Sequence, residues 1–223
     1  MAASCVLFSG GLDSAVLLAL EQQTYDLVWP VHIRAGLAWE EAERRAIDRL
    51  LAAPAFASGV SPLTTLAVDM RDVYPPTHWA VAGRPPAYDT PDEDVYLEGR
   101  NLVLLAKAGV FCARQGISRI ALGSLAGNPF PDATPEFLRT MARALSLGLA
   151  GDLDVVTPLA RHHKDAVVRL GRDLGVPLEL SLSCMNPAGD RHCGRCSKCR
   201  ERRDAFRAAG VADPTNYAST WPI

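Results

Sequence analysis

The stretch VLFSGGLDSAVLLAL, Val6 to Leu20, constrains the fold more than any other part of the chain. Cys5 to Phe8 have strand character, Ser9-Gly10-Gly11 breaks the run, and an apolar helical pattern begins behind Asp13. Strand, tight turn and helix in that order open a parallel α/β sheet. Gly10 and Gly11 carry no Cβ, so the backbone can bend sharply and come close to an anion. Such a turn offers unpaired N–H groups at the positive end of a helix dipole, beside the carboxyl end of a strand, where open sheets bind ligands. Ser9 and Ser14 can each donate a hydroxyl hydrogen bond. Asp13 would repel a bare phosphate, so its presence makes sense with a Mg²⁺ riding on that phosphate. The turn lacks the Lys of G-x-x-x-x-G-K-S/T and the spacing of G-x-G-x-x-G, which removes two nucleotide-binding readings. On spacing alone, a plain Gly-Gly turn capped by Asp and Ser stands as the alternative.

The rest of the chain keeps the alternation. Leu27, Val28, Val31 and Ile33 suggest a second strand, followed by the helix AWEEAERRAIDRLLAA with charge on one face. Leu63 to Val68 reads as a third strand. Tyr74 to Asp94 holds five prolines and reads as a long irregular loop, of the kind that is often functional. A helix from about Asn101 to Gln115, the strand ISRIALGS, a helix with Pro135 in its first turn, the strand LDVVTPL and the helix HKDAVVRLGRDLG follow. Strands separated by helices imply right-handed crossovers and a doubly wound parallel α/β sheet. Beyond about Ser183 cysteines and arginines take over, which divides the chain into an α/β domain at 1–182 and a small module at 183–223.

With 223 residues, 48% of them hydrophobic, the chain can bury an ordinary core. A formal net charge of -2 gives no global attraction to nucleic acid, which favours a small-molecule substrate. No apolar run approaches the roughly 18 residues of a membrane span, and no secretory signal is evident, so a cytoplasmic protein is expected.

Cys184, Cys193, Cys196 and Cys199 are spaced C-x8-C-x2-C-x2-C. Four thiolates this close can close a tetrahedral shell, and a saturated shell leaves no open position, so structural Zn²⁺ is expected. Thiolate spacing leaves an iron–sulfur cluster as the rival. His192 adjoins a ligand and reads as a bystander. Cys5 and Cys112 read as buried small hydrophobes. The seven Lys and Arg residues from Arg191 to Arg207 could form a phosphate-binding patch, but Glu201 and Asp204 are interleaved, and cations also offset the negative charge of a four-thiolate zinc site.

Ser9-Gly10-Gly11-Leu12-Asp13-Ser14 behind an N-terminal strand resembles the signature of the PP-loop ATP pyrophosphatases. That resemblance implies an adenine nucleotide α-hydrolase-like fold, with ATP and Mg²⁺ held at Phe8 to Ser14 and cleavage between the α- and β-phosphates to adenylate a substrate oxygen. The loop followed by α/β pattern and a four-cysteine knuckle is similar to the 7-cyano-7-deazaguanine synthases over nearly the whole chain. Within it, Gly99-Arg100-Asn101 matches the family's Pro-Gly-Arg-Asn segment, FPDATPEF at Phe130 to Phe137 matches Tyr-Pro-Asp-Cys-Arg-Pro-Glu-Phe, and Lys164 aligns with a helix-opening Lys. The resemblance implies 7-carboxy-7-deazaguanine as substrate, ammonia as nitrogen donor, a nitrile product formed through an amide, and a homodimer. Asp13, Ser14 and Lys164 are then the catalytic candidates, Arg100 a phosphate or carboxylate contact, and Asn128, Phe130 and Asp132 the substrate side. Asp132 could accept from the edge of a guanine-like ring, or instead shape its loop or cap the helix that follows. The chain departs from the family pattern at Glu98, Asn128 and Ala133-Thr134, and lacks its Tyr-Gly-Gln motif. Two rival readings are a tRNA-modifying PP-loop enzyme and a zinc-knuckle nucleic-acid binder on an inactive nucleotide fold.

Overall fold

The computed structural model describes residues 2–219. Strands β1 (Ala3–Leu7), β2 (Leu27–Arg34), β3 (Thr64–Ala67), β4 (Arg119–Ala121) and β5 (Asp154–Val156) form one parallel sheet in the order β3-β2-β1-β4-β5. The chain moves outward from β1 to β3 and then crosses to β4 on the other side of β1. The sheet is therefore doubly wound, and its switch point lies between β1 and β4, where open sheets bind ligands. Helices α1 (Leu12–Gln22), α2 (Glu40–Leu51), α3 (Trp79–Ala82), α4 (Arg100–Gln115), α5 (Pro135–Leu149), α6 (Lys164–Asp173) and α7 (Ser197–Ala209) complete the order.

Alternation along β1 explains why its apolar run is unbroken. Cys5 and Leu7 face one layer, with Leu105, Cys112, Ile120 and Leu145 of α4, β4 and α5. Val6, and Phe8 just beyond the strand, face the other layer, with Val16 of α1, Ile47 of α2, Val167 of α6 and Phe206 of α7. Both faces are covered, so no position along the strand is left for a polar residue to meet water. The contact of α1 with α6 is close because Gly171 has no side chain; a Cβ there would lie 2.7 Å from Val16 Cγ2. Glu21 is buried at the far end of α1, accepting from Ser4 Oγ at 2.5 Å and from both Arg119 nitrogens at 3.0 Å.

Pro30 sits inside β2, a strand paired on both sides. Val28 bridges Val60 and Val31 pairs with Thr64, so the neighbouring chain gains a residue opposite Pro30. The proline's missing N–H falls at that break in the ladder.

The region read as an irregular loop is partly built. It contains α3 and a 3-10 turn at Asp92–Val95. Stacked pairs hold it: Trp39 on Trp79 at 5.7 Å and Tyr74 on His78 at 4.8 Å. Its proline content marked a break in periodicity, whereas aromatic contacts made across the fold set its shape.

The cysteine-rich segment does not stand apart from the sheet. Ala205 and Phe206 of α7 belong to the main core, and Leu182 N donates to Gly10 O at 2.8 Å. Fully buried Arg202 donates to Leu178 O, Ser181 Oγ, Ser183 Oγ and Thr215 Oγ1, which fastens α7 to the segment before the first cysteine and to the C-terminal tail. No helix among the described residues is long and apolar enough to cross a membrane.

Candidate active site and metal centre

The turn after β1 has the form its residues suggested. Gly10 adopts φ +72°, and a Cβ there would also stand 2.9 Å from Ile47 Cγ1, so both backbone and packing require glycine. Gly11 caps α1 with extended backbone and no side-chain bond to the helix. The helix begins at Leu12, one residue before the apolar pattern suggested. Ser9 Oγ accepts from Gly11 N at 3.3 Å and lies 3.3 Å from Ser14 Oγ, which donates to Gly11 O at 3.0 Å. These bonds stiffen the turn internally, while the first N–H groups of α1 have no intrahelical acceptor.

Two adjoining chambers open over this turn, of about 330 and 470 Å³. The inner one is walled by the ends of β1 and β2 and by α4, through Leu7, Phe8, Val31, Ile33 and Leu104. The outer one is more polar and reaches His163, Lys164, Ser183, Lys198 and Glu201. Ser9, Gly11, Asp13, Glu43, Arg100, Asn128 and Phe130 line both. The structure thus brings the turn, Arg100, Lys164, Asn128 and Phe130 to one cleft, and Asp132 lines its inner chamber.

Lys164 opens α6 and its ammonium lies 2.5 Å from Asp13 Oδ2 and 3.2 Å from Glu201 Oε1. Glu201 also meets Lys198 at 2.7 Å. Burial works against the Lys164 charge, but the two carboxylates outweigh it and hold its pKa above the usual lysine value. The other oxygen of Asp13 is buried without a partner, which suits a cation brought in with a ligand. Arg100 Nε is likewise buried and unpartnered, and no ion pair of Arg100 is present among the described residues. A guanidinium of this kind on a cleft wall is matched to an anion.

Asp132, while lining the inner chamber, is also bonded within the fold. Its Oδ2 accepts from Asn101 N at 2.9 Å, and Asn101 Nδ2 donates to Asp132 O at 3.1 Å, so this carboxylate holds the first turn of α4 and with it Arg100. The helix that follows is capped instead by Thr134 Oγ1, which accepts from Phe137 N. Asn128 Oδ1 accepts from Phe130 N and closes the bend that sets Phe130 on Tyr96 at 5.2 Å.

Glu43, Lys198, Glu201 and Gly123 also line the cleft, and sequence reasoning did not single them out. For Glu43 a signal existed. It and Glu40 lie on the buried face of α2 with Ala42, Ala46 and Ile47, where a carboxylate breaks the amphipathic pattern.

The Sγ atoms of Cys184, Cys193, Cys196 and Cys199 all lie within 4.8 Å of one another. The pairs 184–196 and 193–199 are at 3.9 Å and 196–199 at 3.5 Å. N–H groups of Asn186 and Cys193 donate to Cys184 Sγ, and that of Arg195 to Cys193 Sγ. His192 is turned away from the sulfurs: its Nε2 accepts from Ser183 N at 3.0 Å, and burial pushes its pKa down to about 3. The arginines nearby are engaged as well. Arg203 stacks on Tyr217 at 3.9 Å and donates to Gly194 O, Arg200 faces Asp92 at 3.6 Å, and Arg207 faces Asp204 at 3.5 Å. They do not form an open basic stripe.

A family model, Queuosine biosynthesis protein QueC, matches residues 3–210. The chain belongs to the QueC family. It is 35% identical to the 7-cyano-7-deazaguanine synthase of Methanopyrus kandleri, over 97% of this chain and 99% of that one. It is also 35% identical to the synthase of Anaeromyxobacter dehalogenans, over 96% and 94%. Among solved structures it resembles a U34-tRNA thiolase of Methanococcus maripaludis, at TM-score 0.51 and 13% identity over 95% of this chain and 73% of that one. The last likeness is one of fold. The cleft at the switch point and the cysteine centre lie within the span the QueC family model covers.

The ion network yields a pH prediction. Burial opposes the Glu201 charge, but Lys164 and Lys198 outweigh it and hold the carboxyl down at about 2, below its ordinary value of 4.5. A depressed carboxylate stabilises the fold above its unfolded pKa and loses that contribution as pH falls through the folded value. Glu201→Gln is therefore expected to lower stability by on the order of 2 kcal/mol at neutral pH, measured by urea denaturation. The gap between variant and wild type should shrink below about pH 4.5 and close near pH 2. A gap that widens with acid would contradict the network.

Proposed function

We propose that this protein is an ATP-dependent 7-cyano-7-deazaguanine synthase of queuosine precursor biosynthesis. The observation that carries the reading is the family match over residues 3–210, which spans both the Ser9-to-Ser14 turn and the cleft beside it. A carboxylate resists attack because its oxygen is a poor leaving group and its charge repels nucleophiles. Adenylation removes both obstacles, and cleavage between the α- and β-phosphates fits a turn that lacks a Walker lysine. Ser9 to Ser14 would hold the pyrophosphate portion, with the N–H groups of the turn and the hydroxyls of Ser9 and Ser14 as donors. Asp13 would hold Mg²⁺ through its unpartnered oxygen, and the metal would neutralise phosphate charge. Lys164 stands where it can leave Asp13 for a phosphate oxygen once that metal arrives, and Arg100 is free to meet a carboxylate or phosphate. Nitrogen enters as ammonia, the amide is activated a second time, and a homodimer is the assembly. Asn128 and Phe130 form the substrate side, with Asp132 acting through the start of α4.

The cysteine centre fits Zn²⁺. A tetrahedron of thiolates about 2.3 Å from zinc has edges of roughly 3.8 Å, close to the separations here, whereas thiolates on a four-iron cluster stand roughly 6 Å apart. Elemental analysis is expected to find one zinc per chain. Cys196→Ala should lose the metal and with it most of the stability that α7 gives the cleft. Iron with labile sulfide would overturn the assignment.

Incubating the protein with 7-carboxy-7-deazaguanine, ATP, Mg²⁺ and ammonium should give 7-cyano-7-deazaguanine, AMP and pyrophosphate by mass spectrometry. Asp13→Asn should lower turnover by roughly a hundredfold or more with the fold intact. ADP and phosphate as products, or AMP with some other carboxylate only, would contradict the reading.

A further inference from the structure

The proposed chemistry releases protons. When ammonia attacks an adenylated carboxylate, nitrogen forms a bond to the carbonyl carbon, the bond from that carbon to the AMP oxygen breaks, and one N–H proton must leave to give the neutral amide. A group that can take it has to stand where nucleotide and acceptor meet, be unprotonated near neutral pH, and be free of a strong cation partner.

The carboxylates on the cleft can be sorted by what they already hold. Asp13 and Glu201 are ion-paired to Lys164, and Asp132 is bound to Asn101. Asp92 faces Arg200 at the rim. Glu43 has no such direct partner: Arg100 acts on its carboxyl electrostatically and Trp39 donates a hydrogen bond to it, but no ion pair of Glu43 is present among the described residues. It is buried on α2, against the loop that carries Gly10, and it lines both chambers.

We propose that Glu43 is the proton acceptor for the nitrogen nucleophile, receiving the N–H proton as the amide forms and AMP departs. Its place at the junction of the chambers argues for the reacting centre. A carboxylate reading the far edge of a deazaguanine ring would belong deep in one chamber. Glu40 on its own helix and Arg100 on α4 act on it electrostatically, His32, Asp13 and Asp132 share the inner chamber with it, and Lys164 shares the outer one. Asp92, His163, Lys198 and Glu201 are the other charged or titratable groups lining the outer chamber. Burial raises the Glu43 pKa to about 7, with Arg100 pulling it down and Glu40 pushing it up, which puts it in the range where an acceptor works best at neutral pH.

The inference rests on the synthase reading, and its test separates the two. Wild type and Glu43→Gln are compared in carboxylate-dependent ATP–pyrophosphate exchange and in ammonia-dependent amide or nitrile formation, with rates expressed per free ammonia. The variant is expected to keep exchange within about threefold while product formation falls by roughly a hundredfold. In wild type, product formation should rise with pH through about 7, and that limb should be absent from Glu43→Gln. Glu43→Asp should restore a limb at lower pH. Equal loss of exchange and product formation, or a raised KM for the carboxylate with kcat unchanged, would overturn the assignment and make Glu43 a structural or recognition residue. An unimpaired Glu43→Gln alongside an active wild type would overturn it alone. A wild type inactive on the named substrate would overturn both readings.

Discussion

The ammonium of Lys164 stands between carboxylates from opposite ends of the chain, Asp13 beside the N-terminal turn and Glu201 on the helix of the cysteine centre. Much of the site follows from that contact. A cation largely removed from water requires compensation, and two carboxylates supply it only if α1, α6 and α7 meet at one corner. The arrangement also leaves one oxygen of Asp13 without a partner. A buried carboxylate oxygen left open in this way has room for one more donor or cation. The same bridge links the cysteine cluster to the turn: α7 begins among the cysteines and carries Glu201, and Glu201 pairs with the lysine that meets Asp13.

Arg202 serves the neighbouring turn of α7 by a different route. Its guanidinium is fully buried with hydroxyls and a carbonyl around it and, among the described residues, no carboxylate bonded to it, so it fixes the segment 178–183 by geometry. That segment then reaches the glycine turn after β1, where Leu182 N donates to Gly10 O. The cysteine centre and Arg202 thus work together to hold the floor of the outer chamber.

The architecture was legible because parallel strands covered on both faces write long apolar runs, and because Gly-Gly after the first of them admits few backbone shapes. The four cysteines were legible by spacing. Residues whose roles depend on three-dimensional meeting were not. Glu43 interrupts the apolar stripe of its helix, which marks it as unusual, but nothing along that helix shows that it meets Arg100 over the turn. Glu201 lies among arginines and reads as a simple charge neutraliser. Asp132 lines the cleft, but its partner Asn101 is 31 residues away, and only folding brings that amide to the carboxylate. Pro30 shows the limit from the other side: a proline argues against a central strand, and the extra residue that makes room for it belongs to a different segment.

The chemistry proposed for this cleft puts AMP on an oxygen of the substrate. Labelling the substrate carboxylate with oxygen-18 and following the label through turnover tests it directly. If the carboxylate is adenylated, the label leaves with AMP, whose phosphate gains oxygen-18 as product forms. Label appearing in inorganic phosphate, with none in AMP, would mean that a different phosphoryl group is transferred and would contradict the account.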